Sequence, residues 1–136
     1  MKPALYILPI LGLGLLLAPA RVFAHHAFAA EYDAKQFITL KGSLTGVDWI
    51  NPHAWIHMDV KGSDGKVVSW MVETGSPNIL LRRGFTKKSL EPGTEIVVQG
   101  YAAKDGENKI NGGAVTFPDG KRLFLGGSNP DDPGAK

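Results

Sequence analysis

The amino-acid sequence predicts an all-β domain in which five short strands curl into a small barrel around one short helix. Three observations lead there. Apolar and polar residues alternate with period two through several short runs separated by turn signals, the pattern of a barrel or sandwich. A single helical stretch falls between the third and fourth of these runs. The first run is long and carries Gly42 and Gly46, and glycine inside a strand marks a bulge or a sharp bend of the kind barrel closure needs. Five strands with a lone helix after the third is the layout of an oligonucleotide/oligosaccharide-binding (OB) barrel. A small antiparallel β-sandwich is the alternative reading of the same strands.

The elements follow in order. The first strand runs from Ile38 to Ile50, with Ile38, Leu40 and Leu44 alternating against Thr39, Lys41 and Thr45. Asn51-Pro52 is a turn signal. The second strand, Ala54 to Val60, places Ile56, Met58 and Val60 on one face and Trp55, His57 and Asp59 on the other. Asp64-Gly65 centres a hairpin loop, and "VVSWMVE" is the third strand. Ser76 is a helix N-cap with Pro77 at the first helical position, Arg82 and Arg83 fall in the last turn, and Gly84 stops the helix after about two turns. Pro92-Gly93 turns into a fourth strand, Glu95 to Ala102, and "KDGENK" is another hairpin loop. "INGGAVTFPDGKRLFL" supplies the fifth strand and a terminal hairpin around Asp119-Gly120.

The domain so defined spans residues 38–125, with an arm over 25–37 and a disordered glycine-, proline- and charge-rich tail over 126–136. Residues 1–24 read as a secretory signal peptide: Lys2, an apolar run from Ala4 to Ala20, and Val22 and Ala24 at the −3 and −1 positions of a cleavage site. The apolar run is marginal for a retained membrane anchor, which needs about 20 apolar residues. Cleavage after Ala24 yields a periplasmic or extracellular protein with no stable membrane span. Lys2 and Arg21 leave with the leader, which lowers Lys+Arg from 15 to 13 against 13 acidic residues, so the net charge falls from +2 to zero. That removes the basic footprint a nucleic-acid partner requires. The absence of cysteine excludes disulfides and thiolate metal sites.

Chemistry concentrates in four histidines: His25 with His26, and His53 with His57. Cleavage would give His25 a free α-amine beside its own imidazole. Amine, imidazole and one further imidazole make a nitrogen set that suits Cu(II). On a straight strand, four residues separate His53 and His57 by about 13 Å, so they are no ready chelate for each other. One of them would instead meet the folded-back amino terminus. His57, held by a strand, is the favoured partner, and His53, in the turn, is the more adaptable one. Glu31, Asp33 and Asp59 are candidate oxygen ligands or outer contacts. The competing reading leaves the His-His start solvated, His57 an ordinary exposed residue and His53 a turn-holding one.

Trp55 and Trp49 form a second candidate constellation, an aromatic ligand face on the first strands where an OB barrel binds its ligands. Strand phase turns Trp55 outward and sets Trp70 with Val68 and Val72 in the core. Arg82, Arg83, Lys87 and Lys88 read as a solvated helix end that complements the dipole. The sequence has no Gly-x-Ser-x-Gly elbow and no glycine-rich phosphate loop, so no catalytic residue is assigned.

Taken together, "HHAFAAEYD", "WINPHAW" and "GSPNILLRRGF" resemble a family of short exported bacterial proteins, catalogued as a domain of unknown function, number 6152. The resemblance runs from His25 to Phe124. Phe37 stands where it implies a proline. It implies export and a compact β domain and carries no activity with it. The functional expectation from the residues is an exported small binding protein that takes a metal ion such as copper through His25 and a second histidine. The alternative is an OB-type ligand-binding or envelope-assembly module without metal.

Overall fold

Strand alternation sorts the side chains and so decides the architecture. A computed structural model of the chain describes residues 27–129. Residues 27–31 are helical. Then follow β1 (Tyr32–Asp48), β2 (Trp55–Lys61), β3 (Val67–Glu73), α1 (Pro77–Arg82), a 3-10 turn (Lys87–Leu90), β4 (Glu95–Ala103), β5 (Lys109–Thr116) and β6 (Arg122–Phe124). The sheet order is β3-β2-β1-β4-β5-β6, and an added parallel pairing of β3 with β5 closes the first five strands into a ring. All other pairings are antiparallel. The five-stranded ring with α1 between β3 and β4 is the predicted all-β, OB-like arrangement rather than two facing sheets.

The inward phase fills the ring. Leu40, Leu44, Ile56, Met58, Val72, Ile96, Val98, Ile110 and Val115 are buried together, and Leu80 of α1, Phe85, Leu90 and Leu125 close the core. The long first strand is irregular at one of its two glycines. The β1–β2 register shifts between Leu44 and Gly46, and a Cβ on Gly42 would lie 2.1 Å from the Asp59 carbonyl oxygen. Gly42 is therefore required by the close approach of β2, whereas a Cβ on Gly46 would meet nothing within 4 Å. Ser76 caps α1, its side chain accepting from the Ile79 amide, with Pro77 opening the helix as predicted.

Three boundaries differ from expectation. β1 starts at Tyr32, not Ile38, because a second register shift between Tyr32 and Phe37 lets Asp33–Gln36 leave the ladder before Phe37 rejoins it opposite Tyr101. Asp33 holds that detour, accepting from the Lys35 amide at 2.9 Å and from Gln36 Nε2 at 3.1 Å. The terminal hairpin adds a sixth strand, β6, which pairs only with β5 outside the ring. The tail does not lose structure at 126. Asn129 is buried, and Ser128 Oγ accepts from Asn111 Nδ2 at 2.8 Å. The predicted leader, His25, His26 and the end of the tail lie outside the described residues.

Candidate functional site

Glu73 ends β3 at the seam where β5 joins, opposite Trp55 on one side and Asn111 on the other. Alternation with the core residue Val72 turns its carboxylate outward, yet it is only 6% exposed. The cover is Tyr32, itself buried, whose hydroxyl donates to Glu73 Oε2 at 2.5 Å. His53 Nδ1 meets Glu73 Oε1, and Asn111 Nδ2 lies 3.5 Å from Oε2. A buried carboxylate is costly unless hydrogen-bonded, and these three groups supply the compensation. Burial pushes the Tyr32 hydroxyl pKa well above the usual tyrosine value, and the hydrogen bond and the charge of Glu73 push it the same way. Tyr32 thus remains a neutral donor. No buried side-chain polar atom is unpaired among the described residues.

His53 is carried by the loop between β1 and β2, directly after the cis Asn51-Pro52 peptide. The loop is pinned beside the end of β3: the Ala54 amide donates to Gly75 O at 3.1 Å, and the Thr74 amide and hydroxyl both donate to Ala54 O at 3.0 Å. A carboxylate only accepts, so the His53 nitrogen facing Glu73 carries the proton, and in the neutral ring Nε2 keeps its lone pair. His57, on the outward face of β2, has the mirrored arrangement. Its Nε2 lies 2.8 Å from Asp48 Oδ2, which in the neutral ring leaves Nδ1 with the lone pair. Both imidazoles are about one-third exposed. A carboxylate behind an imidazole is the support that metal-binding histidines use, and it also serves purely structural ones.

The segment that leads back to His25 and His26 is anchored. Phe28 is buried, stacks on Tyr32 with ring centroids 5.8 Å apart, and meets Tyr101 edge-on at 5.4 Å. Lys104 Nζ donates to Ala29 O at 2.5 Å and the Lys104 amide to Glu31 O at 2.9 Å. The stacking of Phe28 on Tyr32 makes a small second core with Ala103.

The other predicted site residues are dispersed. Glu31 is exposed and pairs with Lys109 at 3.7 Å. Asp33 serves the β1 detour. Asp59 accepts from Ser69 Oγ at 2.6 Å across β2–β3. Trp49 and Trp70 pack against the core, while Trp55 stays half-buried on the outward face of β2. Among the described residues, no group of three or more histidine, cysteine, aspartate or glutamate side chains is arranged to hold a metal ion, and no helix is long and apolar enough to cross a membrane.

The centre of the cluster, Glu73 with Tyr32 and Asn111, was missed from the sequence. Glu73 sits in the solvent phase of its strand, and its cover includes Tyr32, 41 residues earlier, with His53 and Asn111 beside it. The available signal was an acidic residue closing an apolar strand directly before Thr74-Gly75.

Residues 14–112 match the family described as "Family of unknown function (DUF6152)". The chain belongs to this family. The span of the DUF6152 match includes all four histidines and the whole Tyr32–His53–Glu73–Asn111 cluster, and it stops before Ser128. None of the curated proteins matches the chain.

Proposed function

We propose that the protein is an exported small binding protein that holds a metal ion such as copper between His25, as the first residue of the mature chain, and the imidazole of His53. The observation that supports this reading is the shared carboxylate. Glu73 orients His53 through one oxygen and holds Tyr32 through the other, and Tyr32 carries the Phe28 stack four residues back. The loop bearing His53 and the segment following His25 are thereby tied to one buried group. His53 replaces His57 as the preferred partner for this reason. The α-amine and imidazole of His25 with Nε2 of His53 form a three-nitrogen set suited to tetragonal Cu(II), and affinity falls at low pH as protons compete for the amine and imidazoles.

The test compares mature protein beginning at His25 with the same chain preceded by methionine, by Cu(II) titration and electron paramagnetic resonance. The mature form is expected to bind a single ion with nitrogen coordination, and the extended form to lose it. Equal binding by the two forms sinks the amino-terminal reading.

A further inference from the structure

The register of β2 and β3 brings together two side chains that no part of the Glu73 cluster uses. His57 lies directly opposite Met71 in the antiparallel ladder. Directly opposed residues share a face of the sheet, with Cβ atoms about 4.5–5.5 Å apart. That face is the outward one: Ile56 and Val72, the neighbours on the other face, are fully buried. Of the two described methionines, Met58 is 0% exposed in the core and Met71 is 38% exposed. Trp55, two residues before His57 on the same strand, presents its indole on the same outward face, diagonal to Met71.

We propose that His57 and Met71, with the Trp55 indole beside them, form a binding site for a soft monovalent cation, Cu(I), separate from the amino terminus. Each part has a chemical reason. Thioether sulfur is a soft donor that selects Cu(I) over harder ions, and imidazole is acceptable to copper in general. Asp48 accepts from Nε2 of His57 at 2.8 Å, so Nδ1 is the free donor and the ring is held by an outer carboxylate. Two donors make a low coordination number, and an indole face attracts a cation within about 6 Å, which supplies a third, weaker contact on this surface. Lys109, the neighbour of Met71 on the β5 side, has its ammonium drawn away toward the Tyr32 ring, Glu31 and Glu107. The chain has no cysteine to compete for a soft ion.

The experiment uses Ag(I), a redox-inert stand-in for Cu(I), added to the mature protein in chloride-free buffer. Methionine methyl resonances and tryptophan fluorescence are followed. The Met71 methyl is expected to shift and saturate at a single ion per chain while the Met58 methyl stays in place. Met71→Leu and His57→Gln are each expected to weaken binding by more than roughly tenfold, and Asp48→Asn, which removes only the positioning carboxylate, by roughly tenfold. Circular dichroism checks that each variant is folded; Met71 is exposed, so its replacement leaves the core intact. The form extended by alanine before His25, which adds no thioether, is expected to keep its Ag(I) affinity, which separates this site from the amino-terminal one. An unmoved Met71 methyl, a Met71→Leu affinity within about twofold of the parent, or loss of Ag(I) binding on amino-terminal extension overturns the proposal.

Discussion

Replacing Tyr32 with phenylalanine removes one oxygen and leaves the ring, its stack on Phe28 and its packing in place. The hydroxyl donates at 2.5 Å to a carboxylate that is 6% exposed, from a residue that is 2% exposed. A hydrogen bond to a charged group contributes about 1.5–3 kcal/mol, so Tyr32→Phe is expected to cost about 2 kcal/mol near pH 8. The same bond has a pH signature. The Tyr32 pKa is raised in the folded protein, whereas an unfolded tyrosine titrates near ~10. Below that value both states hold the proton and the contribution is complete. Above it the unfolded chain releases the proton while the folded one retains it, so stability is lost as pH rises. At pH 11, one unit above the unfolded value, the loss from this group is about 1.4 kcal/mol. The stability difference between parent and variant, from urea unfolding, is therefore expected to shrink from about 2 kcal/mol at pH 8 to below about 1 kcal/mol at pH 11. The comparison cancels the other titrating groups. A variant as stable as the parent at pH 8, or a difference that does not change with pH, refutes the argument that Tyr32 is a buried donor to Glu73.

Two further substitutions check the frame that holds the cluster. Gly42→Ala forces a Cβ to 2.1 Å from the Asp59 carbonyl oxygen, and urea unfolding is expected to show a loss of about 2 kcal/mol or more; Gly46→Ala, with open space around the added methyl, is expected to stay within about 0.5 kcal/mol of the parent or gain slightly. Leu125→Ala opens a cavity at a fully buried position just past β6, where the backbone also bonds Gly113 and Gly75 at 2.9 Å; thermal or chemical unfolding is expected to show a loss of about 2–4 kcal/mol, and a change under about 1 kcal/mol places the domain edge before Leu125.

Part of the candidate site was legible along the chain and part was not. His53 and His57 stood out as scarce residue types near a turn and on a strand, and alternation alone told that His57 and Trp55 face outward. The same alternation misled for Glu73. Period-two patterning reports which face a side chain takes, and it is silent about what later covers that face. The ladder partner of His57 was equally out of reach, since Met71 lies across a hairpin whose register is set by the "KGSDGK" turn and by the core packing of Ile56 against Val72.

Local rules determined the rest: the strands, the capped two-turn helix, the irregularity of β1 at Gly46 and the turn after Thr116 all follow from backbone preferences and side-chain period, which act within a few residues. The tertiary structure alone decided the start of β1 at Tyr32, the packing of Ser128 and Asn129, and the burial of Glu73. Each depends on contacts between residues far apart in sequence, and closure of the ring through β3 and β5 is what brings them within hydrogen-bonding distance.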